Sequence, residues 1–387
     1  MLEERLRQAR LFAGFTQEAV AEALTEIGHP ATKAVISKYE MGKSVPKAST
    51  LLQLSRIFDV DPGYFLYESK TDLTWVAYRK QSDLAETNQD VVKAYARDVA
   101  ALQLELRSLL YPGKSYDFPE PMNVSTAAEA EAVAQNLRSA WGLDDLPIEN
   151  LTQTVEDHGV VVIGWSRDAG RFDGLSGWCG DDVPLTVVNT AVEVDRRRFN
   201  LAHELGHLLM QTSDDLSEPM AHRFAAALLV PADLAFHELG RRRTSISLAE
   251  LGLLKRRYGL SIQGWIYRAT DLEIITKHFA TSLWREINQR GWKKAEPFPY
   301  VASEEPIRLE QMILHAVAEG LVTRDRVRYA LPNFVVEDPV AETGAFPTAT
   351  ELLAMSDIER ETWMQHSLDL AVNEEFEMFD AFGEEDF

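Results

Sequence analysis

The run Leu201-Ala202-His203-Glu204-Leu205-Gly206-His207-Leu208-Leu209 constrains this chain of 387 residues more than any other stretch. Its two histidines are four apart, so on a helix both imidazoles project from one face. The flanking residues are apolar, which predicts a buried helix. Buried polar rings are costly unless they bind something. Two imidazoles at this spacing suit one Zn2+ ion. Glu204, beside the first of them, is placed to take a proton from water that such an ion acidifies. A hydrolytic zinc takes a third protein ligand and keeps one position open. Asp214, Asp215, Glu218 and His222 all follow closely, and bare spacing does not choose among them. A near-copy, His237-Glu238-Leu239-Gly240, lacks the second histidine because Arg241 follows, and it reads as coincidence.

The chain is long enough for two or three domains at about 150 residues each. Apolar residues at 45% and charged residues at 26% exclude wholesale disorder. No apolar run reaches the roughly 18 residues of a membrane span. The start, MLEERLRQAR, is charged and does not read as a secretory signal. A single cysteine, Cys179, allows no internal disulfide and points to a cytoplasmic protein. The net charge of −22 argues against a general nucleic-acid coat. Its distribution is uneven: residues 1–70 carry nine acidic and nine basic side chains, whereas residues 351–387 carry twelve acidic and one basic.

Hydrophobic periodicity divides the chain. Residues 1–68 read as five short helices, with Gly14 ending the first, Thr16 capping the second and Thr32 capping the third. A long helix is expected from about Asp83 to Leu110, and Tyr116–Val124 reads as a linker. Val160–Gly164, Asp173–Trp178 and Leu185–Asn189 read as strands. Arg196–Met210, Met220–Val230 and most of the chain from Leu248 to Tyr329 read as helices. The resulting expectation is an α+β, mostly helical protein. Its segments are a DNA-binding head at 1–69, a helical linker at 70–125, a peptidase domain at 126–245, a helical C-terminal region at 246–345 and an acidic tail at 346–387.

Residues 196–231 resemble the ImmA/IrrE family of metallopeptidases. The resemblance is carried by Arg198-Phe199-Asn200-Leu201-Ala202-His203-Glu204-Leu205-Gly206-His207 and by Glu218-Pro219-Met220-Ala221-His222-Arg223-Phe224-Ala225-Ala226-Ala227-Leu228-Leu229-Val230-Pro231. It implies a zinc peptidase in which Glu218 is the third ligand beside His203 and His207, Glu204 is catalytic, and Arg198 is structural. His222 stands where that family usually has asparagine. Pro219 follows the implied ligand, and a residue before proline avoids the helical region, which places Glu218 at a helix cap. The strand at Gly174-Leu175-Ser176 is expected to accept a substrate backbone as an added strand. Tyr258, Tyr267 and His222 are the candidates for an oxyanion partner.

Residues 4–67 resemble the lambda-repressor-like (Xre-type) helix-turn-helix. Leu6, Arg10, Gly14, Thr16-Gln17, Ala21, Ile36-Ser37, Tyr39-Glu40, Gly42-Lys43 and Pro46 carry that resemblance. Such a head places its third helix in the major groove of double-stranded operator DNA. Thr32, Lys33, Ala34 and Lys38 would face base edges, Gln17 and Lys43 would contact phosphate, and Arg10 and Glu40 would form an internal ion pair. The connection at Thr25–Ala31 is longer than the usual turn. Together the two resemblances imply a cytoplasmic, homodimeric transcriptional regulator. It would cleave a helix-turn-helix repressor, itself or a partner, in a stress or phage-related response. The alternative is a non-catalytic repressor or antitoxin that uses the peptidase fold to sense, dimerise or bind a partner.

Overall fold

The computed structural model describes residues 2–66, 71–76, 86–166, 172–180, 182–293, 295–332, 334 and 355–356. The acidic tail lies outside the described residues except for Met355 and Ser356. The head consists of α1 (Leu2–Phe12), α2 (Gln17–Glu26), α3 (Lys33–Glu40), α4 (Ala48–Phe58) and a 3-10 turn at Pro62–Leu66. Leu6, Ala9, Val20, Leu24, Ile36, Leu54, Phe58, Tyr64 and Phe65 bury together as its core. Thr16 caps α2 by accepting from the Ala19 amide at 3.1 Å. Thr32 precedes α3 as expected, but its hydroxyl makes no cap bond. Thr32, Lys33 and Ala34 are all exposed there, so water can serve the first amides of the helix.

After the head the described chain runs through β1 (Leu73–Trp75), α5 (Glu86–Leu110), β2 (Met122–Asn123), α6 (Ala127–Ala140) and α7 (Leu151–Asp157). It continues through β3 (Val161–Trp165), β4 (Gly174–Cys179), β5 (Val183–Asn189), α8 (Val194–Leu209), β6 (Met210–Gln211) and α9 (Ser217–Leu229). Six further helices follow: α10 (Ala232–Leu239), α11 (Leu248–Tyr258), α12 (Ile262–Asp271), α13 (Lys277–Gln289), α14 (Arg308–Ala318) and α15 (Arg324–Ala330). Four strands form one sheet in the order β1-β4-β5-β3, with β3 parallel to β5 and the other pairs antiparallel. β2 and β6 form a small parallel pair. The class is therefore α+β and mostly helical.

The stretch expected to be a helical linker is more than that. It holds the long helix α5, but it also contributes β1 to the main sheet and β2 to the small one. A three-residue strand carries little periodic signal of its own, and its order comes from partners about a hundred residues further along.

The core of the body gathers side chains from α6, α7, α8, α9, α11 and α12 against the sheet. Several buried charges cross it. Arg198, at the front of α8, and Glu304, in the segment before α14, are each 1% exposed and pair with one another. Arg198 also donates to the Ile148 carbonyl, while Glu304 accepts the Leu151 and Thr152 amides at 3.1 and 2.8 Å. One carboxylate thus caps α7 and neutralises α8 together. Lys255 on α11 repeats the device, reaching Asp195 at 3.0 Å and Glu296 at 3.1 Å.

Head and body meet through packed and paired groups. Arg5 on α1 forms a two-pronged ion pair with Asp98 on α5, one prong at 2.9 Å, and both residues are buried. The rings of Phe12 on α1, Tyr95 on α5 and Trp165 on β3 form a cluster with centroids 5.4 to 6.1 Å apart.

Two stability predictions follow from the buried carboxyls. Glu304→Gln keeps the shape but leaves Arg198 charged without a counter-ion, and breaking such a pair costs about 3–5 kcal/mol. The urea midpoint should fall accordingly. Glu156 on α7 is buried, and burial pushes its carboxyl up to about 8 from the ordinary value of 4.5. Because the folded pKa is raised, the protonated form's contribution is intact below about pH 4.5 and is lost as pH rises toward 8. Glu156→Gln cannot ionise, so its melting temperature should pull ahead of the parent's as pH is raised from about 5 to about 9. A gap that does not change with pH would show that Glu156 does not ionise in the fold.

Candidate metal centre and nucleic-acid interface

His203, Glu204 and His207 lie on α8, buried to 8, 6 and 6% exposure. The helix forms here because apolar Leu201, Ala202, Leu205, Leu208 and Leu209 alternate with them at helical spacing and bury in the core. Gly206 sets how close α9 can come. A Cβ at that position would lie 3.0 Å from the Phe224 ring and 3.2 Å from the Ala221 Cα. The glycine lets the two helices touch backbone to side chain, and α9 thereby delivers Glu218 and His222 to the histidines.

Four side chains converge. The Nε2 atoms of His203 and His207 are 3.1 Å apart. Glu218 sets Oε2 3.2 Å from Nε2 of His203 and Oε1 3.7 Å from Nε2 of His207. Donor atoms of His203, Glu218 and His222 lie within 4.8 Å of one another. The His222 ring sits 4.5 Å from that of His203, edge to face, and its Nδ1 donates to the Glu218 carbonyl at 2.8 Å. Ser217 Oγ lies 3.3 Å from Nδ1 of His207 and fixes that ring.

The electrostatics suit a cation. Burial, with His203 nearby, holds His207 down at about 4, so its ring is neutral and keeps a lone pair. Burial lowers His222 as well. Glu218 is held below its ordinary value by its contact with His203 and is ionised. Burial raises Glu204 to about 7, against the pull of His203 and the Ser176 hydroxyl. His203 Nδ1 and Glu204 Oε2 are buried with no hydrogen-bond partner, and Glu218 Oε2 has only the His203 ring beside it. Two imidazole Nε2 atoms and a carboxylate aimed at one point fit a zinc ion.

Of the four acidic or imidazole groups that spacing left open as third ligand, the fold brings Glu218 and His222 to the cluster. Asp214 and Asp215 are exposed in the turn before α9 and are not among the groups that meet there. Glu218 does not sit at a helix cap, as the following proline suggested. α9 starts at Ser217, so Glu218 and Pro219 both occupy its first turn, where a missing amide proton costs nothing. The oxyanion candidates separate too. The Tyr258 hydroxyl donates to Glu238 at 2.8 Å, and Tyr267 is 63% exposed against Trp284, so both are committed elsewhere and His222 alone reaches the cluster. The near-copy motif is structural: Glu238 accepts from Tyr258 and Arg257. Sequence reasoning overlooked Ser217, whose position one residue before the candidate ligand was the available signal.

In the head, Lys33, Ala34 and Lys38 of α3, with Thr32 just before it, are exposed, while Ile36 is buried. Lys33 pairs with Glu18, both well exposed, a link of small energetic value that DNA can displace. Lys43 is exposed beyond the end of α3. Arg10 grips Glu40 at 2.5 and 3.0 Å, as the sequence suggested. Gln17 joins that pair, donating to Glu40 at 2.7 Å, so its amide is partly spoken for within the head. Residues 27–32 connect α2 to α3, keeping the long connection read from the sequence.

No curated protein matches the chain. Among protein families, residues 4–67 match the helix-turn-helix domain and residues 155–270 match the IrrE N-terminal-like domain of a metallopeptidase family. The chain thus carries a DNA-binding helix-turn-helix head followed by an IrrE N-terminal-like domain, in that order.

Proposed function

We propose that the chain is a transcriptional regulator whose body is a zinc endopeptidase of the HExxH type. His203, His207 and Glu218 hold the ion, Glu204 acts as general base and then general acid, and the substrate is a helix-turn-helix repressor, itself or a partner. The observation that carries this reading is the placement of both Glu218 oxygens against the paired Nε2 atoms, 3.2 and 3.7 Å away. When bound, zinc supplies a Lewis acid that polarises a peptide carbonyl and acidifies water. Glu204, with a pKa raised to about 7, is poised to take the proton of the attacking water and hand it to the leaving amine. Ser217 orients His207, and His222 pins the Glu218 backbone through Nδ1. The head binds double-stranded operator DNA, as a homodimer on paired half-sites, in the cytoplasm.

Elemental analysis should find one zinc per chain, lost in His203→Ala and in His207→Ala. Glu204→Gln should keep the zinc and lose hydrolysis by at least about a hundredfold, since it removes a base and not a ligand. Fragments of full-length protein incubated with zinc, read by mass spectrometry, supply the assay. Cleavage by Glu204→Gln at the parental rate would sink the assigned role.

Operator binding should weaken with salt. Lys33→Ala and Lys38→Ala should each relax sequence preference by about 1–3 kcal/mol at one base pair. Gln17→Ala and Lys43→Ala should weaken all sequences evenly. Uniform loss in Lys33→Ala would make Lys33 a phosphate contact instead.

A further inference from the structure

β4 passes against the Glu204 side chain at its first residue. A Cβ on Gly174 would lie 2.8 Å from the Glu204 side chain, and Ser176 contributes to the Glu204 environment. One edge of β4 pairs with β5. The other edge is where an extended polypeptide would be added beside the Glu204 carboxylate. In this chain that edge carries β1, with Leu73 opposite Cys179, Thr74 opposite Trp178 and Trp75 opposite Gly177. The ladder is longer than the strand itself. Gly180 donates to Asp72 and Val76 donates to Ser176, each at 3.0 Å.

Three details fit a resident ligand better than a structural strand. The first is direction: from Asp72 to Val76 the segment runs antiparallel from Gly180 to Ser176, so it advances toward Gly174 and Glu204. The second is Gly177, where a Cβ would meet the Thr74 carbonyl at 2.6 Å and the Trp75 ring at 3.1 Å. That glycine is room reserved for a neighbouring backbone and a large side chain. The third is thinness. Asp72, Thr74 and Val76 are exposed, and only Leu73 and Trp75 are half-buried. A three-residue edge strand held mainly by its backbone can be exchanged for another.

We propose that β1 occupies the substrate edge of the peptidase domain as a tethered substrate mimic. The substrate class is then an extended segment with large apolar residues at alternate positions, the bulkiest over Gly177. A substrate that pairs along Ser176–Gly180 on its way to Glu204 must displace this chain's own interdomain segment. The proposal rests on the peptidase reading for the meaning of the edge, but its test needs no turnover.

The test uses full-length protein carrying Glu204→Gln and a fluorescent synthetic peptide of residues 69–78, read by anisotropy. Asp72–Gly180 and Val76–Ser176 are bonded pairs, so Thr74–Trp178 is the bonded pair between them. Thr74→Pro removes its donor and should free the edge. The Thr74→Pro protein should bind the peptide at least tenfold more tightly than its parent, and a peptide with Trp75→Ser should lose that binding. Equal affinities for folded parent and folded Thr74→Pro protein would overturn the proposal. Leu73→Cys serves as a second variant in case the proline prevents folding. Leu73 and Cys179 are opposed in a non-bonded pair, where the strands approach closely enough for a disulfide. Oxidation with diamide should lock β1 and lower peptide affinity at least tenfold relative to the reduced protein. No disulfide, or equal binding by the two redox forms, would also overturn it. A body without hydrolytic activity would leave these binding results intact and fail only the zinc and cleavage assays.

Discussion

Arg198 and Glu304 form an ion pair with almost no access to water, one hundred and six residues apart in the chain. Neither charge is tolerable alone in that environment, so α8, the start of α7 and the segment before α14 must arrive together. The consequence for the site is positional. Arg198 lies just over one turn ahead of His203 on the same helix, and fixing it sets the rotation of α8 about its axis. That rotation decides where both imidazoles point. Lys255, clamped between Asp195 and Glu296, holds the same end of α8 against α11 and α12. The face that carries the two histidines is thus oriented by charged groups elsewhere on the same helix.

The cluster itself runs the other way energetically. Two of its polar atoms, His203 Nδ1 and Glu204 Oε2, are buried without partners, and each such group costs about 1–3 kcal/mol. The Phe224, Ala221 and Met210 packing around Gly206 holds the site together against that cost. A polar site that is destabilising when considered alone, and held in place by well-packed surroundings, is what a pre-organised centre requires.

Much of this was legible in the sequence. The helix carrying His203 and His207 announced itself through spacing, and Thr16, Arg10 and Glu40 took the partners their types suggested. Glu218 was reached through family resemblance and not through chemistry, because the choice among four nearby donors depends on how α9 packs. That packing turns on Gly206, which carries no signal beyond being a glycine. The cap position inferred for Glu218 failed because the restriction before a proline is a preference and not a ban, while Pro219 itself loses no hydrogen bond in a first turn. β1 was illegible for a different reason. Leu73-Thr74-Trp75 has no periodic pattern long enough to read, and its conformation is imposed by β4. The same is true of β2, whose two residues were read as linker. Tyr258 and Tyr267 looked available for chemistry because a sequence does not show that one faces Glu238 and the other solvent.

The junction between head and body has a mechanical consequence. With Arg5 bonded to Asp98 and the Phe12, Tyr95 and Trp165 rings in mutual contact, α1 is not a bead on a string. It packs on α3 within the head, so α3 inherits a fixed bearing relative to the sheet. Any torque applied to α3 is therefore delivered to α5 and β3 and not absorbed by a hinge between head and body.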